Sequence, residues 1–281
     1  MRVVQALKKL RDDLKKAGIT EYKAEAVYAL SAILGMSISE LYLRGQEEMS
    51  DMDLSYLTER RSKGEPLAYI LGERWFMGMR FYVDERVLIP RQETELLVEM
   101  ALEHAGRGRR ILDVCTGSGC VAISLAKLAG ADVTACDISS DALDVAEKNA
   151  KELSADVRFV KSDLMTEADG FFDVITANPP YVSEAEYEEL DAGVRDYEPK
   201  LALVADKNGL ALYKRLAEQL PAKLAPGGFF CSEIGASQGD AVKEIFSSCL
   251  RNVKIHKDYA GLDRIVSVSY THLRAHETGR N

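Results

Sequence analysis

Between Arg110 and Ser269 the chain repeats one unit: a short, almost wholly apolar run followed by a longer segment with an apolar stripe. "RILDVC" (110–115) leads into "GCVAISLAKLAG" (119–130), and "DVTACD" (132–137) into "SSDALDVAEKNAKELS" (139–154). "VRFVKSD" (157–163) and "FDVITAN" (172–178) follow, then "GLALYKRLAEQL" (209–220), "GGFFCSEIG" (227–235) and "GDAVKEIFSSCL" (239–250). Short runs without polar alternation are strands buried on both faces, and helices that return between them make those strands parallel. The pattern therefore predicts an α/β fold with a doubly wound, mostly parallel sheet of Rossmann-like type. The last two strand-like runs, in "NVKIHKDYA" and "RIVSVSY", have no helix between them. They are expected to be antiparallel neighbours, giving the sheet an antiparallel closing strand.

The segments before this region differ. In residues 1–75 the apolar residues recur at helical spacing: Val3, Leu7, Leu10 and Leu14, then Tyr22, Ala26, Leu30, Ile33 and Leu34. Gly18 and Gly35 are expected as the residues that end these two helices. "SDMDLSYLTERRSKG" places Ser50 and Asp53 at capping-box spacing and ends at Gly64. No strand is expected there, so a small all-α bundle domain is predicted, with no titratable cluster that suggests chemistry. "PLAYILGERWFMGMRFYVDERVLIP" (66–90) is aromatic and β-branched, broken by Gly72 and Gly78, and reads as one or two hairpins. The expected organisation is a helical bundle at 1–75, a β-hairpin linker at 76–90, a catalytic α/β domain at 91–270 and a tail at 271–281. That tail has no periodicity and reads as disordered or non-native, although His272 and His276 stand at i, i+4.

Composition removes several classes of function. The net charge is −9, and residues 1–75 balance at 12 basic and 12 acidic side chains, so the acidic excess lies in the rest. A broad nucleic-acid face needs Lys and Arg to neutralise phosphates, so no stable nucleic-acid partner is expected. No apolar run reaches the roughly 18 residues of a membrane span, and the N-terminus lacks the apolar core of a signal peptide. Cys115, Cys120, Cys136, Cys231 and Cys249 fit no zinc spacing and are expected to be reduced, in a cytoplasmic protein without a metal.

Three strand ends carry residues suited to one ligand. "DVCTGSGC" runs from Asp113 through Cys115, Thr116, Gly117, Ser118 and Gly119 into a helix. Small residues there let the backbone approach a ligand at the positive end of that helix. Gly117, Gly119 and Ala122 also match a dinucleotide fingerprint, but the Asp113 carboxylate would repel a pyrophosphate and attract an ammonium. Asp137 ends the second strand, where a carboxylate can accept both ribose hydroxyls of an adenosine. Its competing role is to cap the next helix, which Ser139 or Ser140 could do instead. Asp163 ends the third strand and can accept from an adenine amino group, with the Leu164 backbone at the ring edge. Together they describe a site for S-adenosylmethionine.

"NPPY" (178–181) ends the next strand and should open onto the same crevice. A planar nitrogen with a delocalised lone pair is a poor nucleophile. The Asn178 side-chain oxygen and the Pro179 carbonyl can hold its two N–H groups and aim the lone pair at a methyl donor. Pro179 and Pro180 lack N–H groups and stiffen the loop, and Tyr181 offers a face for the planar group. Asn178, Pro179 and Tyr181 are thus the candidate catalytic residues, and Asn178, Pro179, Pro180 and Tyr181 the candidate substrate contacts. Base amines and carboxamides both fit this clamp.

Longer segments separate those two. "GEPLAYILG" (64–72), "FMGMRFYVDERVLIPRQETELLV" (76–98), "ILDVCTGSGCVAISLA" (111–126), "ACDISSDAL" (135–143), "SDL" (162–164), "NPPYV" (178–182) and "YEPKLALVADKNGLALYKRL" (197–216) resemble the release-factor glutamine methyltransferase family of HemK type, class I methyltransferases dependent on S-adenosylmethionine. The resemblance covers residues 1 to about 269. It implies methyl transfer to the glutamine side-chain amide in the Gly-Gly-Gln motif of peptide-chain release factors, with S-adenosylhomocysteine as the product. It also implies a helical domain that helps dock the release factor. It places Cys115 to Gly119, Asp137, Leu164 and Asn178 at the cofactor and Asn178 to Tyr181 at the glutamine. Gln92 departs from the family, which commonly has proline there. The competing expectations are a DNA or RNA amino-methyltransferase, a non-catalytic S-adenosylmethionine-binding regulator and a dehydrogenase. A monomer is the default.

Overall fold

The computed structural model describes residues 1–50 and 52–269. The tail at 271–281, with His272 and His276, lies outside the described residues. The chain divides into two compact units, one of residues 1–73 with 191–197 and one of residues 74–190 with 198 onward.

The first unit is built from α1 (Val3–Lys16), α2 (Tyr22–Leu34), α3 (Ile38–Leu43), α4 (Ser55–Ser62) and α5 (Leu67–Leu71). Leu7, Leu10, Leu14, Leu30, Leu41 and Leu57 are buried together in its core. Gly18 and Gly35 follow α1 and α2 with φ of 83° and 61°, the left-handed conformation expected of them. The expected start of α4 is corrected. Ser50 is outside the helix, and Asp53 Oδ1 accepts from the Ser55 backbone instead. Segment 66–90 is corrected as well, because its apolar run 67–71 is a helical turn, ended by Gly72 at φ 70°. Only one hairpin follows, from β1 (Glu73–Phe76) and β2 (Met79–Tyr82), and its first strand begins inside the stretch read as strand-free.

The second unit continues with α6 (Glu93–Leu102), β3 (Arg110–Val114), α7 (Cys120–Ala129), β4 (Asp132–Asp137), α8 (Ser140–Glu152), β5 (Val157–Lys161) and β6 (Phe172–Ala177). After β6 come α9 (Glu184–Glu189), α10 (Ala192–Arg195, part of the first unit), the turn α11 (Asp206–Gly209) and α12 (Ala211–Lys223). Then β7 (Leu224–Glu233), α13 (Gly239–Ser247), β8 (Val253–Lys257) and β9 (Asp263–Ser269) complete it. The sheet has seven strands in the order β5-β4-β3-β6-β7-β9-β8. The β5-β4-β3-β6-β7 pairings are parallel, and β9 runs antiparallel between β7 and β8. This is the α/β sheet with an antiparallel closing strand that the pattern predicts.

The absence of polar alternation in these strands has a direct cause. Leu112, Val114, Ile175 and Phe230 face one apolar layer, with Leu216, Leu220 and Phe246. Ile111, Val133, Val174 and Phe229 face the other, with Leu97, Ile123 and Leu125. Each fully buried side chain of this size contributes about 1.5–3 kcal/mol. A surface pair such as Arg109–Asp173, at 2.9 Å, contributes about 0–1 kcal/mol. The two apolar layers therefore dominate the energy that holds the sheet, and the strand ends inherit its rigidity.

The loop after β6 is held from several sides. Val182 and Val204 form a parallel bridge, and the Tyr181 carbonyl accepts from Gln238 Nε2 at 2.9 Å. Gly209, at φ 76°, comes so close that an added Cβ would lie 2.0 Å from that carbonyl oxygen. Gly209→Ala is therefore expected to lower stability by at least about 2 kcal/mol, combining a left-handed backbone with a clash. Its denaturant midpoint should fall accordingly; a midpoint equal to wild type would contradict the close approach.

Candidate active site

The parallel register sets the site. Val114 pairs with Cys136 on one side and Ala177 on the other, and Ala177 pairs with Ser232. The residues just beyond these pairs (Cys115, Asp137, Asn178 and Glu233) therefore emerge side by side at the carboxyl edge of the sheet. A cleft opens there. Its walls include Asp113, Thr116, Gly117, Ser118, Asp137 and Asn178. A second cavity beside it shares Cys115, Asp137, Ile138, Pro180 and Leu201 with the first, and adds Asp163 and Leu164. Among the candidate cofactor residues, Gly119 alone lines neither cavity. It packs instead, because an added Cβ would come within 3.0 Å of Ala146 on α8.

The glycine turn is built tightly. Gly117 has φ 54° with open space where a Cβ would stand. Its N–H donates to Asp137 Oδ2 at 2.9 Å, and the Ser139 N–H donates to Asp137 Oδ1 at 3.0 Å. Ser139 Oγ caps α8 by accepting from Ala142 at 3.1 Å, so Asp137 is not the cap. Its remaining lone pairs are left to the cavities that it lines. Burial raises the Asp137 pKa, opposed by these backbone donors.

Asp113 is 1% exposed and accepts from Thr116 Oγ1 at 2.6 Å and from Thr176 Oγ1 at 2.7 Å. Burial pushes its carboxyl up to about 6, against the pull of the two hydroxyls. Asp163 Oδ2 accepts from Arg215 Nη2 at 2.7 Å, a partner that the strand-end reading did not include. Leu164 holds φ 54°, and its carbonyl accepts from the Cys136 thiol at 3.0 Å. The acceptor set fits an adenosine that carries a cation: acidic groups stand at three strand ends, and the buried Asp113 beside the glycine turn disfavours a pyrophosphate, with Arg86 and Arg91 elsewhere in the cleft wall.

The NPPY residues separate in the structure. Asn178 and Pro180 line the cleft, whereas Pro179 is buried and Tyr181 turns away. Tyr181 donates its hydroxyl to Glu233 Oε1 at 3.2 Å, and its ring packs against the core below the sheet edge. The ring itself is not among the residues that line the cleft. Burial and the neighbouring Glu233 push the phenol pKa up. The Pro179 carbonyl and Asn178 Oδ1 accept no hydrogen bond from the described residues, while Asn178 Nδ2 donates to Thr94 Oγ1 at 3.4 Å.

Three residues here had no assigned role in the sequence, although Thr94 and Glu198 stand within the segments 76–98 and 197–216 that carry the resemblance. Thr94 and Glu233 join the Asn178 side chain from α6 and β7. Glu198, which is 4% exposed, accepts from the Ile89 N–H at 3.1 Å and pairs with Arg91. It thereby ties "VLIPRQ" to "YEPKL", whose Leu88, Pro90, Pro199 and Leu201 form the apolar wall opposite the glycine turn. Their partners lie 139, 84 and 107–109 residues away, and no local pattern reports such a distance. Gln92, the residue before α6, makes no side-chain cap there.

Known proteins resemble this chain in sequence and in fold. Residues 91–193 match the methyltransferase small domain, and residues 5–72 match the PrmC N-terminal domain. A release factor glutamine methyltransferase of Chlorobaculum tepidum is 40% identical, over 94% of this chain and 96% of its own length. One of Lactococcus lactis is 39% identical, over 94% and 98%. A solved methyltransferase of Pyrococcus furiosus shares the fold at a TM-score of 0.56 and 19% identity, over 78% of this chain and all of its own.

The buried carboxyl of Asp113 gives a pH test. Below about 6 it is protonated and loses its attraction for a cationic ligand. The Kd for S-adenosylmethionine is expected to rise as pH falls through that value, by up to about tenfold per pH unit. Asp113→Asn should bind weakly and lose this part of the dependence; an unchanged titration profile in the variant would contradict it. For the fold the sign is opposite. The native state holds this proton more tightly than the unfolded chain, so the contribution of Asp113 to stability falls as pH rises from about 4 to about 6.

Proposed function

The chain belongs to the release factor glutamine methyltransferase family, and on that premise we propose how its cleft serves the reaction. The protein is a methyltransferase that uses S-adenosylmethionine to methylate a glutamine side-chain amide of peptide-chain release factors, in their Gly-Gly-Gln motif. Bound S-adenosylmethionine supplies a methyl group activated by its sulfonium sulfur.

Asp113, with the turn from Cys115 to Ser118, holds the amino-acid end of this donor, and Gly119 lets that turn pack. Asp137 accepts from the ribose, and Asp163 and the Leu164 backbone meet the adenine. Asn178 Oδ1 and the Pro179 carbonyl accept the two N–H groups of the glutamine amide. Two acceptors at fixed positions orient the nitrogen lone pair and favour its rehybridisation. Pro180 and Leu201 keep water from that end of the cleft. Tyr181 acts from below, as an anchor for the loop rather than as a stacking face. The proton displaced from nitrogen passes to water at the mouth, so no residue has to serve as a general base.

The observation that carries this reading is Asn178, whose Oδ1 accepts no hydrogen bond from the described residues, in the wall of a cleft that also holds the glycine turn and Asp137; the buried Pro179, whose carbonyl is likewise unengaged, follows it in the chain. The helical unit, residues 1–73, helps dock the release factor. The five cysteines are free, which supports a reducing, cytoplasmic setting. Among the described residues no helix is long and apolar enough to cross a membrane. The enzyme acts as a monomer and without stable nucleic-acid binding, in keeping with its net charge of −9.

A labelled-methyl assay with purified release factor, DNA and RNA tests the substrate class. Label is expected in the release factor; label in nucleic acid alone would sink the reading. Asn178→Ala should lower turnover at least about 100-fold while leaving the cofactor Kd nearly unchanged, as for a lost positioned hydrogen-bonding group. Turnover near wild type would remove Asn178 from the acceptor site.

A further inference from the structure

Glu233 is 2% exposed and makes no ion pair among the described residues. A buried carboxylate without a contacting cation is costly unless its lone pairs are used. Two hydroxyls use them: Thr94 Oγ1 donates at 2.7 Å to Oε2, and the Tyr181 hydroxyl donates at 3.2 Å to Oε1. Thr94 has one hydroxyl proton, and Glu233 takes it. Its oxygen therefore turns only lone pairs toward Asn178, whose Nδ2 donates to it at 3.4 Å. An amide that shows its NH2 to Thr94 must show its oxygen on the other side, where Asn178 lines the cleft.

We propose that Glu233 and Thr94 are positioning residues, which act through Asn178 by fixing its side-chain amide with Oδ1 toward the methyl acceptor. Glu233 lines no part of the cleft, and Thr94, which does, acts on Asn178 through its hydroxyl oxygen. Without the carboxylate, the Thr94 hydroxyl is free to donate to Asn178 and the amide can turn over. An overturned Asn178 would present N–H groups to the N–H groups of the substrate, which repel. The order of hydrogen bonds thus runs in one direction, from Asn178 to Thr94 to Glu233, and the acidic end of the chain determines the polarity at the other end. Tyr181 closes the second oxygen of Glu233 and ties the same carboxylate to the NPPY loop. The proposal deepens the function proposed above and rests on Asn178 Oδ1 holding the acceptor nitrogen.

The test compares wild type, Asn178→Ala, Thr94→Val, Thr94→Ser, Glu233→Gln and the double variant Asn178→Ala/Thr94→Val in full-length protein. Methyl transfer to release factor gives kcat, calorimetry with S-adenosylmethionine gives the cofactor Kd, and thermal melting checks the fold. Glu233→Gln keeps the shape but can donate to Thr94, and Thr94→Val keeps the shape without the oxygen. Both should lower kcat about 10- to 100-fold, the scale of a misplaced catalytic group, with cofactor Kd unchanged. Thr94→Ser should recover most of the rate. Thr94→Val should cost little further in the Asn178→Ala background, because its effect passes through Asn178. If Asn178→Ala is crippled while Thr94→Val and Glu233→Gln turn over like wild type, the positioning role is wrong and the reading beneath it stands. If Asn178→Ala itself turns over like wild type, both fall. Equal costs of Thr94→Val in the two backgrounds, or loss of cofactor affinity and melting temperature together with rate, would make the pair merely structural and overturn the proposal.

Discussion

The parallel register of β4, β3, β6 and β7 is the constraint on which the rest depends. Parallel strands in register end together, so the residues that follow them meet although they are distant in sequence. Asp137, Cys115, Asn178 and Glu233 reach one edge because Val114 pairs with Cys136 and Ala177, and Ala177 with Ser232. A shift of one residue on any strand would turn its last side chain to the opposite face of the sheet. The two apolar layers hold that register, and so the distances at the site are a consequence of core packing.

On that frame the site is assembled by short polar links with definite direction. Asp137 clips the glycine turn through the Gly117 N–H, while Ser139 takes over the capping of α8. Thr116 and Thr176 satisfy Asp113. Gln238 and Gly209 fix the Tyr181 carbonyl, and Glu198 fastens the apolar wall. In the NPPY loop two oxygens, Asn178 Oδ1 and the Pro179 carbonyl, are engaged by no described residue. That is a polarity suited to a nitrogen bearing two hydrogens. The same polarity would accept a base amine, and it is the sequence over 94% of the chain, 40% identical to a release factor glutamine methyltransferase, that assigns the nitrogen to a glutamine.

How far this could be read in the chain depended on the range of each interaction. Strand and helix order were legible because two-sided burial leaves apolar runs such as "ILDV", and helix stripes repeat locally. The glycine turn and the strand-end acids were legible because parallel sheets open at that edge. What lay hidden was pairing across long separations. Thr94 reads as an ordinary residue of a helix start, and Glu233 as the polar end of a strand. Neither shows by itself that it meets Asn178. The anchor of Tyr181 was hidden for a related reason, since an aromatic ring beside a clamp suggests a stacking face and nothing nearby in the chain shows that Glu233 holds its hydroxyl. The run 67–71 misled through composition: five apolar residues before a glycine suit a strand as well as a helical turn, and only the αL end at Gly72 decides.

The most direct test of the account is the site of methylation. Release factor incubated with the enzyme and S-adenosylmethionine should be digested and its peptides sequenced by mass spectrometry. One additional methyl group on the side-chain amide of the Gly-Gly-Gln glutamine is the result expected from a clamp built of Asn178 Oδ1 and the Pro179 carbonyl. A methyl group on any other residue, or an unmodified release factor in the presence of active enzyme, would contradict it.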